Sequence, residues 1–183
     1  MKLAIFDMDG TLFNTNYINY YAYKEALNKY DVSIDFEYFC NYCNGKHYKV
    51  FVSPLVNNDK EKTEDIHNIK KVAYSKYLNK VKINEHLFYI IEMIKTEYKI
   101  ALVTTASKKN TYEILEYTNK TDLFDLILTS EDVKIPKPNP EGFLLAMDKF
   151  DVQPEECIIF EDSEVGIEAA KKTGANIFKI ENF

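Results

Sequence analysis

Two aspartates, Asp7 and Asp9, follow directly after an apolar run at residues 3–6. Gly10 comes next and allows a tight turn, so a strand followed by an ordinary Asp/Gly turn is one interpretation of the segment. Carboxylates this close together repel each other unless they share a cation or one of them keeps its proton. The pair therefore indicates a hard metal ion such as Mg²⁺, with separate acid and base roles for the two side chains.

Polar side chains also follow the later apolar runs of the chain. They are Thr104 and Thr105 after residues 100–103, Glu161 and Asp162 after residues 157–160, and Lys137 in the proline-rich loop 134–140. In combination they suit phosphoryl transfer. One carboxylate can attack phosphorus, a second can carry the proton of the leaving oxygen, and Mg²⁺, a lysine and a hydroxyl can neutralise the phosphoryl oxygens.

Apolar runs alternate with helical patterns through most of the chain. The runs lie at 3–6, 100–103, 126–128, 157–160 and 177–178, and the predicted helices lie at 86–98, 110–118, 141–150 and 164–173. This alternation predicts an α/β fold in which a Rossmann-like parallel sheet forms a three-layer α/β/α core. Ligands of such sheets bind beyond the carboxyl ends of the strands, where the polar residues lie.

The segment 14–81 follows a different pattern, because it contains no run that resembles a buried strand. Its aromatic-rich segments 17–30, 36–44 and 65–78 are compatible with helices. We therefore predict a core built from residues 1–13 and 82–183, with residues 14–81 inserted as a small helical region.

The polar motifs together resemble the haloacid dehalogenase-like hydrolase superfamily, in its phosphatase and phosphomutase branch. The resemblance covers nearly the whole chain. The matching segments, in order, are Asp7-Met8-Asp9-Gly10-Thr11, Val103-Thr104, Lys137-Pro138, and Phe160-Glu161-Asp162-Ser163 with Gly166 and Ala169-Ala170. A single Asp-x-Asp would be a weak signal, whereas four motifs in this order at strand ends are a strong one.

The resemblance implies a role for each matched residue. Asp7 would be the nucleophile and Asp9 the general acid and base. Mg²⁺ would be held by the carboxylates of Asp7 and Asp162 and by the backbone carbonyl of Asp9, with Glu161 acting through a metal-bound water or as a direct ligand. Thr104, or alternatively Thr105, and Lys137 would bind the phosphoryl group.

The same resemblance implies that residues 14–81 form a mobile cap that closes over the site and contributes substrate contacts. Residues 44–47 (Asn-Gly-Lys-His) fall where relatives place a specificity loop, so Lys46 and His47 are candidate contacts for a second phosphate, a carboxylate or sugar hydroxyls. The alternative is a polar loop that only faces water. Asp9 argues against halide removal, because that reaction leaves no alkoxide that needs a proton.

Composition narrows the possible partners. The net charge is −6 and the lysines are dispersed, which does not favour nucleic-acid binding. No apolar stretch approaches the roughly 20 residues of a membrane span, and no secretion signal precedes the first strand, so we expect a cytoplasmic protein without an obligate protein partner.

Cys40 and Cys43 have the Cys-x-x-Cys spacing with His47 nearby, but a second ligand pair typical of zinc sites is missing.

We therefore expect a Mg²⁺-dependent phosphatase that hydrolyses a small phosphorylated metabolite through an aspartyl phosphate. One alternative is a sugar phosphomutase of the beta-phosphoglucomutase kind, which would use the same residues. Another is a non-hydrolytic phospho-accepting or binding module, since receiver domains also place aspartates and a lysine at the rim of a parallel sheet.

Overall fold

The structure is a computed structural model that describes residues 1–44, 46–181 and 183. It consists of two compact units, one formed by Met1–Asn14 with Lys82–Phe183 and the other by Thr15–Val81. The first unit contains the strands, which are β1 (Lys2–Phe6), β2 (Phe13–Asn14), β3 (Lys82–Ile83), β4 (Tyr98–Val103), β5 (Leu126–Leu128), β6 (Cys157–Glu161) and β7 (Asn176–Lys179).

Five of these strands form one parallel sheet in the order β5-β4-β1-β6-β7, and β2 pairs with β3 in a short antiparallel ladder. Strands β4 and β5 lie on one side of β1, and β6 and β7 lie on the other, so β1 is the point at which the strand order reverses. Carboxyl ends of neighbouring strands form a ligand crevice at such a point. The predicted fold class, a parallel Rossmann-like sheet surrounded by helices, is confirmed.

Eight α-helices lie between and beyond the strands in the described part of the chain. They are α1 (Asn16–Asn28), α2 (Phe36–Tyr38), α3 (Tyr48–Leu55), α4 (Lys60–Ala73), α5 (Glu85–Ile94), α6 (Lys108–Tyr117), α7 (Glu141–Phe150) and α8 (Glu164–Lys171). The side chains of Asn84, Ser107 and Ser163 accept backbone N–H bonds at the starts of α5, α6 and α8. Such caps satisfy amide groups that have no partner within the helix.

The first unit has an aliphatic core beneath one face of the sheet. Leu3 and Ile5 of β1, Val103 of β4 and Ile159 of β6 pack there against Phe143 of α7. These side chains are fully or almost fully buried. Since β1 is apolar along its whole buried length and paired on both sides, its carboxyl end is a rigid position from which to present Asp7.

The second unit is helical and has an aromatic core. Tyr20 and Tyr23 of α1 pack with Phe39, Phe51 of α3 and Ile66 of α4. The ring of Tyr23 meets that of Phe51 edge-on, at 4.9 Å between centroids. The unit therefore has an apolar core of its own.

Several predicted boundaries differ from the structure. The predicted helix 86–98 ends at Ile94, because Tyr98 and Lys99 already pair with β1 as part of β4. The segment 36–44 is only briefly α-helical and continues as a π-helix at Phe39–Cys43. Helix α3 was not predicted, since its sequence mixes valines and a proline, and α4 begins earlier than expected, at Lys60.

The predicted helix 141–150 is confirmed at both ends. Within the described part of the chain, none of the helices combines the length and the apolar character that crossing a bilayer requires.

Candidate active site

Asp7 stands immediately after β1, at the centre of the sheet. Its backbone N–H donates to the carbonyl of Phe160 on β6 at 3.0 Å, and its side chain is buried. The Lys137 ammonium donates to Oδ1 of Asp7 at 2.6 Å. The sequence-predicted nucleophile and phosphate-binding lysine are thus in direct contact, although 130 positions separate them along the chain.

Lys137 connects three parts of the sheet rim. Besides Asp7, its ammonium donates to Oε2 of Glu161 at 2.6 Å and to the carbonyl of Val103 at 3.2 Å. It also lies 4.8 Å from the ring centre of Phe143. An ammonium group offers three N–H bonds, and these contacts account for all three. Lys137 is therefore held in one place by the ends of β1, β4 and β6.

Asp162 is fixed by the loop that follows β1. The hydroxyl of Thr11 donates to Oδ1 of Asp162 at 2.8 Å. Gly10 has a φ of +94°, and a Cβ atom at this position would collide with the Asp162 carboxylate. Glycine at position 10 is thus required both by the backbone conformation and by the closeness of Asp162.

Glu161 is buried and both of its oxygens already have donors. Oε2 receives Lys137, whereas Oε1 accepts the backbone N–H of Ser163 at 3.1 Å and the Ser163 hydroxyl at 2.8 Å. A Cβ on Gly166 would overlap the Glu161 carboxylate, so this glycine makes room for it. These contacts favour Glu161 as a support for Lys137 over a direct metal ligand.

Burial decides the direction of the pKa shift for Asp7 and Asp162, but not for Lys137. It raises the pKa of Asp7 well above the ordinary value, although the Lys137 ammonium opposes the shift. Burial also raises the pKa of Asp162, against the hydrogen bond from Thr11. For Lys137, burial alone would lower the pKa, but the carboxylates of Asp7 and Glu161 outweigh it and the pKa is raised. One ammonium thus binds two buried carboxylates, those of Asp7 and Glu161.

The donor set fits a divalent cation. In residues 1–44, 46–181 and 183, the one group of three or more metal-competent side chains consists of Asp7, Glu161 and Asp162, with ligand atoms within 4.8 Å of one another. All of these donors are carboxylate oxygens, which Mg²⁺ prefers. A cation there would offset the negative charge that Lys137 leaves unbalanced.

The other predicted residues of the sheet rim are Asp9, Thr104 and Thr105. Asp9 lies in the tight loop after β1 and is partly exposed, with Phe13 as its bridge partner. Thr104 follows β4 and is buried, and its hydroxyl accepts the N–H of Ala106 at 3.0 Å. Thr105 is exposed instead. Thr104 therefore continues the buried end of β4, and its phosphate-binding role stays a prediction.

Lys46 and His47 belong to the second unit, and both are exposed. His47 precedes α3 and caps it, because its Nδ1 accepts the N–H of Lys49 at 3.4 Å. Gly45, from the same predicted loop, lies outside the described residues. A substrate-contact role for Lys46 and His47 stays a prediction.

The zinc interpretation of Cys40 and Cys43 gains no support. Both are free thiols in the π-helical segment, Cys43 buried and Cys40 half-buried. Burial raises the pKa of both thiols, which disfavours the metal-binding thiolate. The two cysteines pack in the apolar core of the second unit.

Comparison with known proteins agrees with this geometry. The family model for the haloacid dehalogenase-like hydrolases matches residues 4–180. The chain belongs to this family. The resemblance inferred from the four motifs is therefore confirmed.

Named relatives within the haloacid dehalogenase-like family are phosphatases. A phosphorylated carbohydrates phosphatase from Thermotoga maritima is 28% identical over 185 residues, covering 95% of this chain and 82% of that protein. A fructose-1-phosphate phosphatase from Escherichia coli is 24% identical over 173 residues, covering 93% and 91%. These relatives confirm the prediction that the chain is an enzyme of the phosphatase class.

A solved structure also matches along the whole chain. It is a candidate beta-phosphoglucomutase from Thermotoga maritima, which superposes with a TM-score of 0.79 at 26% identity and covers 100% of this chain and 87% of that one. The match supports the same haloacid dehalogenase-like fold and adds a candidate phosphomutase to the proteins that share it.

Sequence reasoning assigned no individual role to three residues that build the site. Thr11 orients Asp162, Ser163 binds Glu161 and caps α8, and Asn84 donates to the carbonyl of Thr11 at 3.1 Å. Ser163 carried a usable signal, since a serine directly before a helical pattern is a typical cap. The contacts of Thr11 and Asn84 join residues distant in sequence, so no local pattern reveals them.

Proposed function

We propose that this protein is a Mg²⁺-dependent phosphatase that hydrolyses small phosphate monoesters through an aspartyl phosphate on Asp7. The observation that carries the proposal is the cluster at the sheet rim, where Lys137 joins Asp7 to Glu161 and Thr11 holds Asp162 nearby. Phosphoryl transfer needs this combination of a nucleophile and positive charge at the developing negative charge.

The reaction proceeds in two displacements. A carboxylate oxygen of Asp7 forms a bond to phosphorus while the bond between phosphorus and the ester oxygen breaks. Asp9 donates its proton to that leaving oxygen. Asp9 then takes a proton from water as the water oxygen attacks phosphorus, and the bond between phosphorus and Asp7 breaks. Inorganic phosphate is released and both aspartates return to their starting states.

Lys137 and Thr104 bind the phosphoryl group in this proposal. The Lys137 ammonium is oriented by Glu161 and by the carbonyl of Val103, so the N–H that it donates to Asp7 is the one that would turn to a phosphoryl oxygen. Its contact with Asp7 also lowers the pKa of that carboxyl group, which opposes the larger rise caused by burial. Thr104 follows the neighbouring strand and supplies a hydroxyl.

Mg²⁺ would be held by the carboxylates of Asp7 and Asp162 and by the backbone carbonyl of Asp9. Glu161 would support the site through its hydrogen bond with Lys137. When bound, the ion neutralises the phosphoryl oxygens together with the attacking carboxylate. Hydrogen bonds from Lys137 and Ser163 occupy the oxygens of Glu161, which leaves Asp7 and Asp162 as the side-chain ligands.

The substrates we propose are phosphorylated sugars, and residues 15–81 act as the cap that selects among them. The named relatives from Thermotoga maritima and Escherichia coli are phosphatases of phosphorylated carbohydrates and of fructose 1-phosphate. Lys46 and His47 are exposed in the helical unit and provide charge and hydrogen-bonding capacity for such a ligand.

The test is a screen of phosphorylated metabolites with measured release of inorganic phosphate, run with Mg²⁺ and with EDTA. We expect a subset of hexose and pentose phosphates to release inorganic phosphate. The release should stop in EDTA and resume when Mg²⁺ is restored. Release that continues unchanged in EDTA would contradict the metal requirement. Absence of release across the whole panel would contradict the hydrolase proposal.

The second candidate is a sugar phosphomutase, which the likeness to the candidate beta-phosphoglucomutase favours. In that reaction the phosphoryl group returns from Asp7 to a different hydroxyl of the sugar. The same screen distinguishes the two functions, because a mutase yields an isomeric sugar phosphate without inorganic phosphate. A stable phosphorylated protein that neither hydrolyses nor isomerises would instead favour the non-hydrolytic module.

A further inference from the structure

Lys137 differs from Asp7, Thr104 and Glu161 because it is carried by a long loop and does not lie at a strand end. The loop runs from β5 to α7, and its final part, residues 134–140, contains Pro136, Pro138 and Pro140. Side chains on loops are placed less accurately than those on helices or strands unless the loop is itself held. The position of Lys137 therefore depends on what fixes residues 134–140.

The prolines leave this loop few backbone N–H groups with which to bind the rest of the protein. Between positions 134 and 139 the donors belong to Lys134, Ile135, Lys137 and Asn139, since proline has none. The N–H of Asn139 closes a turn onto the carbonyl of Pro136 at 3.0 Å. Lys134 and Ile135 thus provide the donors that can anchor the start of the segment.

Both of those donors bind one carboxylate. Glu141, the first residue of α7, accepts the N–H of Lys134 at 2.8 Å on one oxygen and the N–H of Ile135 at 3.1 Å on the other. The backbone N–H of Glu141 in turn donates to the side chain of Asn139 at 3.0 Å. Hydrogen bonds to a charged group are stronger than neutral ones, so this reciprocal arrangement closes the loop onto the helix.

The next two residues of α7 complete the support. Gly142 lies so close to β4 that a Cβ there would come within 2.9 Å of Val103, whose carbonyl accepts from Lys137. Phe143 places its ring beside the Lys137 ammonium. The first turn of α7 therefore contacts the Lys137 loop, the strand end that binds Lys137, and Lys137 itself.

We infer that Glu141 is a positioning residue of the phosphoryl-transfer site, which fixes the Lys137 loop by binding the amides of Lys134 and Ile135. The inference rests on the proposed role of Lys137. Lys172 also donates to the carbonyl of Pro138 at 2.9 Å, but that bond lies beyond Lys137 in the chain. Without the Glu141 carboxylate, the start of the segment loses its two hydrogen bonds to α7 and the Lys137 ammonium departs from its position between Asp7 and Glu161. Turnover falls although every group that contacts the phosphoryl group is still present.

The experiment compares Glu141→Ala and Glu141→Gln with the matched control Glu85→Gln, with p-nitrophenyl phosphate and Mg²⁺ as the assay. Glu85 is also the first residue of its helix and is exposed, so the control removes the same charge from an equivalent position. Values of kcat and KM are measured below the unfolding transition of each variant, with the folded fraction taken from circular dichroism.

We expect Glu141→Ala to lower kcat by about 10- to 100-fold, the loss that a displacement of about 1 Å causes in a catalytic site. Glu141→Gln, which keeps one acceptor oxygen, should lose less, and Glu85→Gln should match the wild type. A purely structural role would lower the unfolding temperature and leave the kcat of the folded fraction unchanged, and that result would overturn the inference.

Lys137→Ala separates this inference from the function on which it rests. A Lys137→Ala enzyme with the wild-type rate would overturn the role of Lys137 and, with it, the proposed phosphoryl-transfer site. An impaired Lys137→Ala enzyme beside a Glu141→Ala enzyme of normal kcat would overturn only the role of Glu141.

Discussion

The rim of the sheet and the helical unit bury opposite kinds of side chain. At the rim, Asp7, Lys137 and Glu161 are buried and bonded to one another. In the helical unit the buried side chains are mainly aromatic and aliphatic, and the candidate recognition residues Lys46 and His47 face solvent. In the proposed function the rim carries the reaction, whereas the helical unit has an apolar core of its own and exposes the polar residues proposed to contact the substrate.

The largest effect should come from Asp7→Asn, which tests the rim half of the contrast. The amide keeps the shape of the side chain but cannot serve as the nucleophile, so turnover should fall by at least about 10⁴-fold. Phosphate release measures the activity, and circular dichroism should show an unchanged fold. Ordinary activity in this variant would remove Asp7 from the mechanism.

The next largest effect should appear in the helical unit, as a loss of stability. Phe39 is 2% exposed, and Phe39→Ala should lower the free energy of unfolding by about 3–5 kcal/mol, because it leaves a cavity among aromatic rings. Urea unfolding followed by circular dichroism measures the change. Tyr42, which is 58% exposed in the same segment, provides the control, and Tyr42→Ala should change the stability far less. Equal losses would contradict a packed core around Phe39.

A smaller effect is expected where the helical unit meets its ligand in the proposed function. Lys46→Ala should raise KM for a sugar phosphate by about tenfold, equivalent to about 1.4 kcal/mol, with kcat little changed. Removal of a contact made equally to substrate and transition state has this signature. Lys60→Ala is the control, since Lys60 is an exposed lysine of the same unit. An identical KM in both variants would exclude Lys46 as a substrate contact.

The smallest effect concerns pH. His67 on α4 stacks on Tyr48 at 3.7 Å between ring centres, and its Nδ1 is buried without a hydrogen-bond partner in the described structure. Burial, helped by the charges of Lys71 and Lys70 and opposed by that of Glu64, lowers its pKa to about 4. The ordinary value is about 6.5, so between these limits the unfolded chain binds the proton more readily.

The helical unit should therefore lose stability as the pH falls from about 6.5 to about 4. His67→Phe keeps a stacked ring but cannot bind a proton, so its unfolding midpoint in urea should fall less between pH 7 and pH 5 than that of the wild type. His86→Phe is the control, because His86 is an exposed histidine of the other unit. An equal fall in the wild type and in His67→Phe would show that His67 does not contribute.

Much of the sheet could be predicted because its strands are buried and its sequence is locally consistent. The run 100–103 identifies the buried part of β4, but Tyr98 and Lys99 join the strand through pairing with β1, which periodicity does not reveal. The helical unit was harder to predict. Helix α3 contains Val50, Val52 and Pro54, which locally disfavour a helix, and it forms as part of the unit's core around Phe51 and Val52.

The candidate site shows the same division. Asp7, Asp9, Thr104 and Asp162 were identified from sequence because each lies at or just beyond the end of an apolar run. The contacts that organise the site could not be identified from sequence, because they join distant positions. Examples are the bond from Thr11 to Asp162 and the bond from Lys137 to Glu161. Glu141 looked like an ordinary acidic residue in the first turn of a helix, and only the geometry of the loop reveals its two bonds.

The most direct test of phosphoryl transfer through Asp7 is rapid acid quenching of the working enzyme, followed by mass spectrometry of its peptides. With Mg²⁺ and a hydrolysed sugar phosphate, one phosphoryl group should be found on the peptide that contains Asp7, and none on that peptide in Asp7→Asn. A phosphoryl group on a different residue, or turnover at the full rate with no phosphorylated residue at any quench time, would contradict the mechanism.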